Sequence, residues 1–222
     1  ISKTTPDYFI ENLTSNHFIW RNSFSDISRL KISGSLSNRD YKFSVGIHST
    51  NTDNFIYFDE NANAAQTSVP VSVLALYLKK RFDVWKLVWD NNIHYQITDR
   101  NAIVSIPAVT VYSSLYLDHV IKFKFTNGAI YFQIGADLFY NSEYYAYKFM
   151  PAFEQYYIQD VREIGNYPFI DPFLNVRIKR TRVYLKYANI GSLFMDKNYF
   201  SAVYHPRNLG VLKFGLYWTF YD

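Results

Sequence analysis

The sequence predicts an all-β protein, an antiparallel transmembrane β-barrel with about ten strands visible. Three observations predict it. Apolar residues recur at every second position along most of the chain, which is the period of a strand and not of a helix. Most of these segments run for roughly 10–14 residues, against about 5–6 for the common soluble strand, and a tilted strand needs about 9–11 to cross a bilayer. Short and long connections also alternate. Tight turns fall near residues 38, 83, 127 and 180, and longer segments cover 49–69, 98–108, 142–168 and 191–208. Membrane barrels place short turns at one rim and long loops at the other. A soluble sandwich has no reason to do so.

The elements follow in order. Residues 1–16 are polar, contain Pro6, and read as a loop or incoming arm; residues 17–222 read as the barrel strands. Residues 17–24 (HFIWRNSF) form a short, weakly alternating strand. Leu30, Ile32 and Leu36 then oppose Arg29, Lys31, Ser33 and Ser35. Ser37-Asn38-Arg39-Asp40 is turn chemistry. It leads into Tyr41, Phe43, Val45 and Ile47 opposite Lys42, Ser44, Gly46 and His48. After a polar loop and Pro70, Leu74, Leu76, Leu78 and Phe82 oppose Ala75, Tyr77, Lys79 and Arg81, with Lys80 interrupting the apolar row. Past a turn near Asp83, the row Trp85, Leu87, Trp89, Ile93, Tyr95, Ile97 opposes Lys86, Val88, Asp90, Asn92, His94 and Gln96; Asn91 breaks it once.

Leu115, Leu117, Ile121, Phe123 and Phe125 oppose Tyr112, Ser114, Tyr116, Asp118, Lys122 and Lys124, and His119 is the misfit on the apolar row. Asn127-Gly128 is a strong hairpin signal. Ile130, Phe132, Ile134, Ala136 and Leu138 face away from Tyr131, Gln133, Gly135, Asp137 and Phe139. Leu174, Val176 and Ile178 oppose Phe173, Asn175, Arg177 and Lys179. A turn near Arg180-Thr181 leads to Val183, Leu185 and Tyr187 opposite Tyr184, Lys186 and Ala188. The final stretch, LGVLKFGLYWTFYD over 209–222, is the most one-sided. Leu212, Phe214, Leu216, Trp218 and Phe220 point one way, and Lys213, Gly215, Tyr217, Thr219 and Tyr221 the other.

Composition removes other classes. Aromatic residues make up 20% of the chain, yet mean hydropathy is −0.17. Alternation dilutes apolar content in this way in a membrane barrel. No run of 18 apolar residues exists, so no helical span is expected. Cysteine is absent, which removes disulfides and thiol chemistry. The net charge of +4 is spread singly along strands rather than in a basic block, so nucleic acid is not an expected partner. The chain begins at Ile1 without a signal-peptide pattern and reads as a processed chain or a piece of a longer one.

Constellations that suggest chemistry dissolve on spacing. Asp90 and His94 share a face but lie about 13 Å apart along a strand. His48 and Asp118 have no metal-ligand spacing. Asp53, Asp59 and Glu60 lack the fixed order of a calcium loop. Ser113 or Ser114 with Asp118 and His119 suggests a triad, but Asp118 and His119 point to opposite faces. No catalytic, cofactor-binding or metal site is therefore expected, and no cofactor.

The two faces carry the expectation instead. Lys86, Asp90, His94, Tyr116, Asp118, Lys122, Tyr131, Asp137, Arg177, Lys186 and Tyr217 are expected to line a pore. Trp85, Leu87, Trp89, Phe132, Ile134, Leu138, Phe214, Leu216 and Trp218 are expected to face lipid. Inward Lys and Arg outnumber inward acids, which leans the lumen toward anions. Inward tyrosines read either as a sugar-stacking track or as interior packing.

Residues 149–187 and 209–222 carry a resemblance. FMPAFEQYYIQD, IGNYPFIDPFLNVRIKRTRVYLKY and KFGLYWTFYD together resemble the C-terminal part of the putative porin family of Bacteroidota outer membranes. The resemblance implies an outer-membrane β-barrel, and because family members are longer chains it implies a C-terminal segment of one. Asp222 departs from the aromatic terminal residue of outer-membrane insertion signals. No catalytic residues carry over. The function expected is passive diffusion of small solutes through a bacterial outer membrane. The partners expected are membrane lipid and lipopolysaccharide, with other outer-membrane proteins as further candidates. The alternatives are a non-conducting structural or accessory subunit of an outer-membrane complex, and a soluble β-sandwich that binds carbohydrate.

Overall fold

In the computed structural model, which describes residues 1–124, 128–195 and 199–220, the alternating segments pair into one ten-stranded antiparallel sheet. Its strands are β1 (Ser2–Thr4), β2 (Ile27–Asn38), β3 (Phe43–Asp53), β4 (Val71–Val84) and β5 (Leu87–Thr98). They continue as β6 (Val109–Lys122), β7 (Ala129–Asn141), β8 (Phe169–Ile178), β9 (Thr181–Ala188) and β10 (Val211–Trp218). Each strand pairs with its neighbour in the chain, so β1 and β10 are the edges and the sheet is not closed. Apart from β1 the strands run from 8 to 14 residues. No second sheet of comparable size faces this one among the described residues, so the sandwich has no second layer.

The alternation of connections holds. Residues 39–42, Trp85-Lys86 and Lys179-Arg180 are tight turns at one end of the sheet, and β6 and β7 are joined by another short link there. Residues 54–70, 99–108, 142–168 and 189–210 join strands at the opposite end. Phe125 and Asn127 lie outside the described residues, as do Tyr221 and Asp222.

Three local expectations are corrected. The strand over 17–24 is not in the sheet. Ile19–Arg21 pairs with Asn12–Thr14 in a separate two-stranded piece, because Trp20 is buried in a core with Phe58 and Tyr157. The edge position belongs to Ser2–Thr4, within the residues read as an arm, which also carry a helical turn (Tyr8–Glu11) capped by the Asp7 carboxylate. The turn near Asp83 lies two residues later. Asp83 stays in the ladder opposite Val88 and its carboxylate accepts from Lys42 Nζ at 2.6 Å and Arg81 Nε at 3.0 Å. Trp85, with φ at 55°, and Lys86 form the turn, so neither lies on a strand face. Finally, Tyr41 and Lys42 belong to a turn rather than a strand; the Asn38 side chain accepts from Tyr41 N at 2.9 Å and closes it.

The long segments are folded. Hairpins form at Ile56–Phe58 with Ala64–Gln66, at Lys148–Met150 with Gln155–Tyr157, and at Phe200–Ala202 with His205–Pro206. Their aromatic side chains bury one another. Phe153 packs edge-on against Phe18 and Trp20, and Trp20 lies against Phe58. Most of the buried apolar residues sit in this layer, while the strands expose theirs. The accessible surface is 15114 Å², against roughly 10,600 Å² for a soluble monomer of this mass. An excess of that size, in large part apolar, needs cover.

Candidate functional site

Register converts the alternation into two continuous faces. On one, Leu87, Leu117, Ile134, Leu174, Leu185 and Phe214 stand side by side across β5 to β10. Beside that row run His119, Phe132, Val176, Val183 and Leu216, and next to Val84 and Leu87 lie Phe82 and Trp89, with rings stacked at 5.5 Å. Trp218 lies opposite Thr181, and Leu138 lies between Ser113 and Ile170. Ile134, Leu216 and Phe214 are 51%, 67% and 79% exposed, part of an apolar patch larger than soluble monomers commonly carry. Of the expected lipid-facing set, all but Trp85 share this face.

The polar breaks on this face find partners, except that Asn91 Nδ2 is buried without one among the described residues. Trp89 Nε1 donates to Ser113 Oγ at 2.9 Å, and Ser113 donates to Asn91 Oδ1 at 2.8 Å. His119 lies near the turn rim, edge-on to Phe132 at 5.4 Å. Lys86 Nζ lies 3.2 Å from its Nε2. The Lys86 ammonium also lies 4.5 Å from the Trp85 ring centre. Lys86 thus leans toward the apolar row and drops out of the expected lining set.

The opposite face holds the rest of that set. Asp90, Ser114, Asp137 and Asp171 form one row; Tyr116, Gly135, Phe173 and Lys186 form the next. Asp118, Gln133, Asn175 and Tyr184 form a third, and Tyr131, Arg177, Arg182 and Tyr217 a fourth. His94 lies opposite Tyr77, whose ring stacks on His48 at 5.5 Å, and Lys122 lies opposite Ala129. Asp118 accepts from Gln133 Nε2 at 3.3 Å, and Asp59 Oδ1 accepts from the backbone of Asn61 and Asn63, closing its own loop.

Charge on this face is partly neutralised. Lys186 Nζ lies 3.0 Å from both Asp137 Oδ2 and Asp171 Oδ2, and Ser114 donates to Asp137 Oδ1 at 2.7 Å. Asp171 Oδ1 in turn accepts from the backbone N of Asn189, tying the face to the long-loop layer. Lys31, Lys79, Lys122, Arg177, Arg182 and Lys213 make no ion pair with a described carboxylate, and the acids left unpaired are Asp90 and Asp118. Arg182 was not among the expected lining residues. It abuts a turn, where strand parity is hardest to read, but Tyr184 and Lys186 share its phase.

Two of the tyrosine rings lie over glycines. Tyr77, Tyr116 and Tyr184 each stand directly opposite a glycine, Gly46, Gly135 and Gly215. The Tyr77 and Tyr184 rings occupy the volume a Cβ on their glycine would fill, and at Gly135 that volume is taken by the Tyr116 stem and the Leu115 carbonyl. The Tyr77 and Tyr184 rings thus cover the sheet at their glycines.

A long, two-faced, all-antiparallel sheet with short turns at one rim agrees with the one comparison that matched, a family model described as putative porin, over residues 1–222. The chain belongs to the putative porin family. No curated protein and no solved structure matched. Membership carries a porin-like role in the bacterial outer membrane.

Proposed function

We propose that this chain forms the wall of a passive diffusion pore for small solutes, with the charged face toward water and the apolar face toward lipid. The supporting observation is the pair of continuous faces, one exposing Leu, Ile, Phe and Trp and the other carrying the Lys186 pairs with Asp137 and Asp171. Backbone groups in lipid must be paired by a closed barrel, so both free edges of this sheet take partners in the membrane. The Tyr77 and Tyr184 rings, folded down over glycines, thin the lumen side there, which favours an open channel over an aromatic plug.

The unpaired cations outnumber the unpaired acids on that face, and fixed positive charge lowers the barrier for anions. Planar-bilayer recordings across a salt gradient test both statements. We expect conductance with a reversal potential favouring anions. The preference should fade with salt, as the screening length falls from about 10 Å at 0.1 M to about 3 Å at 1 M. A cation preference rejects the charge argument. Absence of conductance moves the reading to a structural or accessory subunit. One observation favours that second reading: the loop layer presents a largely apolar groove of about 630 Å³ between Ile10, Ile27, Phe55, Tyr57 and Tyr156.

A further inference from the structure

Near the tight-turn rim of the charged face, Arg177 on β8 and Arg182 on β9 are direct partners across the ladder. Like charges at directly opposed positions destabilise a sheet. No described carboxylate forms an ion pair with either guanidinium. Arg177 is held in place, its guanidinium carbon 4.1 Å from the centre of the Tyr131 ring. Arg182 has Tyr217 on its other side, 61% exposed. The four side chains line an open groove of about 770 Å³, together with Asn175 and Asp118. The carboxylate in that lining, Asp118, is bonded by Gln133.

We propose that this groove is a binding subsite for a small organic phosphate or sulfate ester, such as a sugar phosphate. Two planar guanidiniums from directly opposed positions, lining one groove, offer forked donors that match a tetrahedral oxyanion. An oxyanion between them also relieves the repulsion they impose on the empty sheet. The exposed Tyr217 ring, one strand further on, offers a flat apolar face to the body of the ester. Asn175 adds an amide on the same wall. The subsite rests on the reading of this face as the water-filled side, but its binding is measurable without conduction.

Calorimetry on the full 222-residue chain in detergent micelles provides the test, with glucose 6-phosphate as probe and glucose and inorganic phosphate as controls. Glucose 6-phosphate should bind more tightly than either control. Arg177→Gln and Arg182→Gln should each weaken it by about tenfold or more, the loss of hydrogen bonds to a charged group. Lys31→Gln, on the same face but on β2, should leave it unchanged. Tyr217→Ala should weaken the ester while sparing inorganic phosphate. Circular dichroism of each variant confirms the fold, and Arg182→Lys, which keeps the charge and loses the fork, should be intermediate. Binding no tighter than that of inorganic phosphate, or equal in wild type and both glutamine variants, overturns the subsite. Binding without conductance leaves the subsite standing and removes the pore; conductance without binding does the reverse.

Discussion

Glycine sets the thickness of the charged face one residue at a time. Gly135 faces Tyr116 so closely that an added Cβ would meet the Leu115 carbonyl and the Tyr116 stem, which are backbone or near-backbone atoms that cannot move aside. Gly34 has only Ile47 Cγ2, at 3.9 Å. Gly135→Ala should therefore destabilise the folded barrel by about 1–3 kcal/mol, while Gly34→Ala should stay within about 0.5 kcal/mol. Urea titration of the two variants in lipid vesicles separates them; equal midpoints would contradict the register. At this scale the sequence was only half legible. Alternation put Tyr116 and Gly135 on the polar side, but which glycine meets which tyrosine is a matter of register between strands. Trp85 was misread for a similar reason. A bulky residue at positive φ is rare, and local pattern alone continued the strand through it.

Strands and loops differ in how much of them is local. On β7, Ile134 sits in the apolar row between Leu117 and Leu174, and Gln133 points the other way, bonded to Asp118. Ile134→Arg should cost about 2–4 kcal/mol of stability in lipid, and Gln133→Arg far less. Heat-modifiability in gels after refolding into vesicles reads the difference, and equal tolerance would reject the facing assignment. Period two made this legible, because it needs no knowledge of any other strand. The segment 142–168 was legible only as a loop, since its order comes from contacts distant in sequence. Tyr147 reaches 44 residues back to donate to the Ile103 carbonyl at 2.9 Å and accepts from Ser105 N. Burial pushes its phenol above the ordinary value, with the Ser105 bond opposing. The neutral form is therefore the one the folded layer favours. Its contribution is complete below the unfolded pKa of about 10 and is lost as pH rises through the higher folded value. Protease cleavage within 142–168 should accelerate above about pH 10, and Tyr147→Phe should flatten that rise. A pH-independent cleavage rate would remove Tyr147 as the anchor.

The whole molecule divides into a sheet whose apolar residues face outward and a loop layer whose apolar residues face each other. The first half was readable because strand period and connection length are both printed along the chain; even the misplaced turn near Asp83 left the alternation of short and long links intact. The second half was not. Trp20 looked like part of a weak strand, and only Phe58, Phe153 and Tyr157, arriving from other segments, make it a core residue. This division also bears on orientation. In an outer-membrane barrel the long connections face outward and the short turns face the periplasm, so the aromatic loop layer is expected on the cell exterior. Val161, 80% exposed in the layer, and Arg39, exposed in the β2–β3 turn, lie at opposite ends. The native chain has no cysteine, so Val161→Cys and Arg39→Cys each give a single reporter. A membrane-impermeant maleimide applied to intact cells should label Val161→Cys and reach Arg39→Cys only after permeabilisation. The opposite pattern would invert the barrel, placing the Arg177–Arg182 groove at the external mouth and the loop layer in the periplasm.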